Sequence, residues 1–245
     1  MSVRLIFRTI LLLAIVGLTR CSSISGKPAS GSEVPRPDQV LDPQLLFARN
    51  CAGCHGADGK DGAALNLSNP VYLAIVDDET LRLTISQGRP GTAMSAFARQ
   101  AGGMLTDEQI SAIIRGVRTR WGTKDALAGA SPPHYASAVP GDPHRGREAY
   151  ATFCSACHGV DGKGGPKAGS VTNDAYLSLI SDQGLRTIVI AGRPDFQMPD
   201  WRGYVSGRPM TEQEIADVVA WLASLRPQNR LSLSPANSSV PGGER

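Results

Sequence analysis

Large aromatic side chains are scarce: three tryptophans, five tyrosines and five phenylalanines make up 5% of 245 residues. A chain of this length forms one large or two small domains, and with so few aromatics the interior need not be built from side chains alone. A surplus of one charge is also missing. Lys and Arg number 25 against 22 Asp and Glu. The balance is local too, with nine basic and nine acidic residues in 41–125 and nine of each in 143–227. Neither stretch has the basic excess of a nucleic-acid binder. The apolar stretch Ile10 to Leu18 is shorter than the ~20 residues that a spanning helix needs. Cysteine and histidine are few, five and four, so their placement carries information.

Four of the five cysteines lie in two copies of one pattern, Cys-Ala-Gly-Cys-His at 51–55 and Cys-Ser-Ala-Cys-His at 154–158. Two thiols at this spacing each add to one vinyl group of a haem, and the adjacent histidine then lies against the iron as an axial ligand. The expectation is two covalently held haem c groups, one on Cys51, Cys54 and His55, the other on Cys154, Cys157 and His158. Much of each interior would then be porphyrin, and the propionates would shift the folded surface toward the acidic side. The competing reading of paired C-x-x-C is a structural zinc site. A zinc ribbon, however, needs neither a histidine after both second cysteines nor about a hundred residues of helical sequence between its halves.

The chain is internally duplicated. Cys51 and Cys154 are 103 residues apart, Tyr72-Leu73 and Tyr176-Leu177 are 104 apart, Gly88-Arg89-Pro90 and Gly192-Arg193-Pro194 are 104 apart, and Thr106 and Thr211 are 105 apart. Each copy reads as helical. The first helix opens at Asp42-Pro43 in one copy and near Asp142-Pro143 in the other, an N-cap followed by proline at the first helical position. Its apolar face carries Leu46, Phe47 and the cysteine motif, with Tyr150 in the place of Phe47. A glycine-rich loop follows each motif. The last helix opens with a capping box, Thr106 with Gln109 and Thr211 with Glu214. Leu105 with Ile110, and Met210 with Ile215, are placed as hydrophobic staples. Ile110, Ile113, Ile114 and Val117 form one apolar stripe; Ile215, Val218, Val219, Leu222 and Leu225 form the other.

This all-α arrangement of haem-bearing first helix, irregular loops and terminal helix resembles the small class I cytochrome c fold over 41–125 and again over 143–227. The resemblance implies a methionine as second axial ligand, on a loop well after the C-x-x-C-H. Met94 and Met104 lie 39 and 49 residues after His55, and Met198 and Met210 lie 40 and 52 after His158. Met94 and Met198 follow homologous Gly-Arg-Pro turns, and Met198-Pro199 looks like the family's ligand loop, whereas Met210 serves as a staple and Met104 has no counterpart in register. Met94 and Met198 are therefore the expected ligands. The first copy departs from the family pattern at Ser95, where proline is usual, and at Ala63, where the second copy has Pro166. In the family the segment near that proline gives the proximal histidine a backbone carbonyl, so the two haems are expected to differ in potential.

Residues 1–21 read as an export segment, with Arg4 and Arg8 at the start of the apolar stretch. Leu18-Thr19-Arg20-Cys21 resembles a bacterial lipobox, implying acylation of Cys21, although Arg20 stands where a small residue is usual; the alternatives are an ordinary cleaved signal or a short anchor with a free thiol. Residues 22–40 read as a flexible tether, 126–142 as a linker and 228–245 as a disordered tail. Two His/Met irons have no open position for substrate, and a thioether raises the potential. The expected role is therefore an exported, membrane-tethered electron carrier or electron-transfer subunit with no catalytic residues. It would pass single electrons between a quinol- or substrate-oxidising complex and a terminal oxidase or reductase. The enzymatic alternative is a dihaem cytochrome c peroxidase, for which only His134 or His144 could supply a distal imidazole.

Overall fold

Ten α-helices and no β-strand occur among the described residues of the computed structural model, which are residues 34–227. Segment 1–21 with Cys21, tether residues 22–33 and the tail 228–245 lie outside them. Within the expected tether, Pro37–Gln39 forms a short 3-10 turn. No helix among the described residues is long and apolar enough to cross a membrane.

Each copy of the repeat supplies five helices in one order. The first half has α1 (Pro43–Asn50), α2 (Ala52–His55), α3 (Pro70–Ile75), α4 (Asp78–Gln87) and α5 (Asp107–Trp121). The second has α6 (Pro143–Phe153), α7 (Ser155–His158), α8 (Asp174–Leu179), α9 (Asp182–Ala191) and α10 (Glu212–Ser224). Their starts follow from local chemistry, because the first N–H groups of a helix need outside acceptors. Asp42 and Asp142 accept from the first turns of α1 and α6, Asn69 and Asn173 from those of α3 and α8, and Asp77 and Ser181 from those of α4 and α9. Both capping boxes are formed, Thr106 with Gln109 and Thr211 with Glu214. The staples Leu105, Ile110, Met210 and Ile215 are all buried. Leu225 departs from the expected stripe: α10 ends at Ser224, and Leu225 is 40% exposed.

The first helix of each half packs against the last, and each crossing is close because one partner has no side chain. In register with the cysteine motifs, Pro43 corresponds to Gly146; in register with the capping boxes, Gly116 corresponds to Trp221. In the first half Pro43 sits over Gly116, where a Cβ would come within 2.5 Å of the ring. In the second half the glycine is on the other helix, and a Cβ on Gly146 would come within 2.7 Å of Trp221 Cβ. Large and small have changed places. The longer α6, eleven residues against eight in α1, carries the extra turn into the second crossing. There Asp217 accepts from Asp142 N–H at 2.7 Å and from Arg145 Nε at 2.8 Å. Burial would push the Asp217 carboxyl up, but these bonds together with one from Gln213 hold it below the usual range.

An arginine then ties each terminal helix to the middle helices. Arg118 donates to the carbonyls of Leu73 and Val76 and to Asp78; Arg226 donates to the carbonyls of Leu177 and Ile180 and to Asp182. The acceptors are 104 residues apart, but the arginines are 108 apart, one helical turn out of register. The sequence repeat therefore hides a conserved contact.

Over residues 40–227 the halves pack as one compact unit, and one cluster of buried side chains runs through both. Helix α9 packs on α3 across the boundary. The 126–142 segment is fastened to the second half along its length. Arg202 donates to the Leu127 carbonyl at 2.6 Å, Gln183 to that of Tyr135 at 2.7 Å, Arg186 to that of His134 at 2.7 Å and Gln213 to that of Pro140 at 2.9 Å. On the other side Tyr135 Oη accepts from Arg89 of the first half at 2.6 Å.

Gly146→Val should lower the unfolding free energy by about 1–3 kcal/mol through overpacking at the α6–α10 crossing. Urea unfolding checks it; an unchanged midpoint would show that the crossing tolerates a side chain there.

Candidate haem sites

The first helix of each half stops at its first motif cysteine. Cys51 and Cys154 cap α1 and α6 with φ of −118° and −120°, and the rest of each motif forms a separate single turn, α2 or α7. The expected continuous helix through the motif is therefore bent at its cysteine. The bend leaves Cys51 and Cys154 partly buried and Cys54 and Cys157 exposed, and all four thiols are free of disulfides. Burial, and secondarily the neighbouring thiol, pushes Cys51 up to about 11 and Cys154 up to about 12. A haem thioether carries no charge, so its formation suits these partly buried positions. No group of three or more Cys, His, Asp or Glu able to hold a metal ion occurs among the described residues.

Both motif histidines are oriented alike. His55 Nδ1 lies 2.8 Å from the Leu65 carbonyl and His158 Nδ1 lies 2.8 Å from the Gly169 carbonyl. A carbonyl only accepts, so Nδ1 carries the proton and Nε2 keeps its lone pair for a metal. Burial lowers the His55 pKa, partly offset by the bond to Leu65, which favours the neutral ligand form. Leu65 and Gly169 are 104 residues apart, so the one-residue insertion of the second copy falls before the acceptor. Ala63 in place of a proline leaves this contact intact.

The four methionines at issue separate by exposure. Met210 is 3% exposed as a staple and Met104 is 78% exposed, while Met94 and Met198 are half-buried. Both half-buried residues sit on loops closed in the same way. Arg89 N–H donates to the Met94 carbonyl at 2.8 Å and Arg193 N–H to the Met198 carbonyl at 2.9 Å. The glycine before each arginine, Gly88 or Gly192, has φ of +69° or +67°, and a Cβ there would come within 2.6 Å of the methionine carbonyl. Only glycine combines that left-handed backbone with that approach. Beyond this shared closure the loops differ. Met94 N–H donates to Thr92 Oγ1 at 3.2 Å, whereas Met198 N–H donates to the Arg193 carbonyl at 2.9 Å. Met198, Pro194 and Ala191 also line a cleft of about 440 Å³ closed by Pro70 and Val71 of the first half.

His134 and His144, the only other histidines, are both exposed. His134 lies on the fastened segment beside Glu212, and His144 in the first turn of α6. Sequence reasoning missed the residues that couple the halves, Asn69 foremost. The signal available was its N-cap position before Pro70, which shows half of what its side chain does.

The donor set fits haem c twice over: free thiols three residues apart, a histidine with its Nδ1 proton tied back, and a methionine on a glycine-closed loop. This is the constitution of a c-type cytochrome. Residues 143–226 match the family model "Cytochrome c", and residues 38–115 match "Cytochrome C oxidase, cbb3-type, subunit III". The chain is a tandem dihaem cytochrome c, with two cytochrome c-type domains and two haem c groups, one in each half.

It is similar to the cbb3-type cytochrome c oxidase subunit CcoP of Rubrivivax gelatinosus, 31% identical over 68% of this chain and 52% of that protein. It is also similar to the subunit FixP of Azorhizobium caulinodans, 32% identical over 57% and 48%, and to FixP of a Bradyrhizobium species, 28% identical over 77% and 67%. The chain spans about half the length of the first two relatives.

Gly88→Ala and Gly192→Ala should each cost about 1–3 kcal/mol, from left-handed strain and the methionine carbonyl together. Thermal unfolding checks both; losses no larger than that of an exposed glycine such as Gly169 would refute the closure role.

Proposed function

We propose that the chain is an electron-transfer subunit in which Cys51, Cys54, Cys154 and Cys157 hold the two haems by thioether bonds. His55 and Met94 are the axial ligands of the first iron, His158 and Met198 those of the second. The observation that carries this reading is the repeated pairing of a tied-back histidine with a methionine on a glycine-closed loop. Bound haem supplies a one-electron iron couple. The chain fixes the tautomer of each histidine, fills both axial positions so that no substrate binds the iron, and keeps the ligand set unchanged between oxidation states.

The similarity to cbb3-type oxidase subunits supports a place beside a terminal oxidase, handing on electrons from an upstream quinol- or substrate-oxidising complex. It does so without catalysis of its own. Export across the cytoplasmic membrane, with Cys21 acylated as the anchor, completes the reading and puts both haems on the outer side. Neither exposed histidine of 126–144 has a feature that favours the peroxidase alternative.

The oxidised protein should contain two haems per chain and show the weak deep-red band of methionine sulfur on ferric haem. Met94→Ala and Met198→Ala should each remove about half of that band, in proportion to two independent sites. A high-spin or bis-histidine haem in the unaltered protein would overturn the axial assignment.

Cys21→Ser should move the protein from the membrane fraction to the soluble extracytoplasmic fraction. Retention in the membrane after this substitution would remove acylation from the reading.

A further inference from the structure

Asn69 is 3% exposed, and both ends of its amide are used. Its Oδ1 accepts from the N–H groups of Val71 at 2.9 Å and Tyr72 at 3.2 Å, capping α3 in the first half. Its Nδ2 donates to the carbonyls of Ala191 at 2.8 Å and Gly192 at 3.2 Å in the second half. Those two residues are the last of α9 and its cap, where helix carbonyls have no partner within the helix. One side chain thus closes the start of a helix in one half and the end of a helix in the other.

The end it closes is the root of the second methionine loop. Gly192 packs under the Met198 carbonyl, and the next residue, Arg193, exchanges two backbone hydrogen bonds with Met198, each of 2.9 Å. Within the same loop Asp195 pairs with Arg193 at 2.8 Å.

The first half shows what this loop does without. Thr92 Oγ1 braces the Met94 loop internally, donating to the Arg89 carbonyl at 2.8 Å and accepting from Met94 N–H at 3.2 Å. Phe196 stands at the corresponding position of the second loop, 104 residues on, and is 66% exposed. The repeat partner of Asn69 is Asn173, which caps α8 in the same way but is exposed, with no hydrogen bond from its Nδ2 among the described residues. The amide contact to a methionine loop is therefore made in one direction, from first half to second.

We infer that Asn69 is a positioning residue for the second haem: from the neighbouring half it holds the Met198 loop closed over the iron, in place of the internal brace that the Met94 loop has. The persistence of Met198 as a ligand then depends on the contact between the halves. The inference rests on Met198 being an axial ligand.

Asn69→Ser keeps a capping oxygen for α3 but has no amide to reach Ala191. Asn173→Ser is the control for the cap alone. Ferric holoprotein is titrated with imidazole, which competes with the methionine, while the deep-red band is followed; each titration is repeated in Met94→Ala, where the second haem alone contributes the band. In Asn69→Ser the second haem should bind imidazole about tenfold more tightly, as expected from loss of hydrogen bonds to buried carbonyls, with the first haem unchanged. In Asn173→Ser neither should change. Unchanged affinity at the second haem of Asn69→Ser, or an equal rise at both haems, overturns the inference. Failure of the axial reading is recognised separately, because Met198→Ala would then leave the whole band in place.

Discussion

The crossing of the first and last helix in each half is the constraint on which the rest depends. The C-x-x-C-H turn grows from the end of the first helix, so the position of that helix sets where thiols and histidine stand. Two helices approach closely only where one gives up its side chain, and each half meets this condition with a glycine. Pro43 lies over Gly116 in one, Trp221 over Gly146 in the other. Aromatic pairs complete the crossings, Phe47 with Trp121 edge-on at 5.1 Å and Tyr150 with Trp221 tilted at 4.4 Å. Four of the thirteen aromatic residues thus lie in pairs where the helices meet.

From equal crossings the halves diverge at their methionine loops. The shared parts are backbone: the glycine under the methionine carbonyl and the arginine N–H that accompanies it. The unshared parts are side chains, Thr92 inside the first loop, and Asn69 reaching the second from outside. A difference between the two haems was expected from Ser95 and Ala63. The Ala63 change leaves the histidine contact at the same 2.8 Å in both halves. The asymmetry of the Met loops lies in what braces them.

Much of the fold was legible because it is set by local rules. Capping residues, Pro at the first helical position, staples and apolar stripes each use side chains within a few residues of one another, and the first and last helices of each half begin where these predict. The haem motifs were legible for the same reason, since three reactive groups fall within five residues. The 103 to 105 register recovered homologous turns, yet it failed where the two copies reach one contact by different residues. Arg118 and Arg226 clamp equivalent carbonyls from positions one turn apart, and Gly146 answers Gly116 from the opposite helix. Such exchanges preserve geometry, not residue identity, and periodicity does not detect them.

The sequence by itself determined the chemistry: two thiol pairs with adjacent histidines, two methionines on matched turns, and a repeat that requires both sites to be built alike. Tertiary structure alone decided that the halves act on one another. The 126–142 segment reads as a spacer by composition, but its carbonyls meet Arg186, Gln183, Arg202 and Gln213, all far along the chain. Asn69 reads as a helix cap, and the other end of its amide finds partners 122 and 123 residues away. A side chain with both donor and acceptor serves two backbones when packing brings them together, and that proximity is a property of the fold rather than of any local pattern.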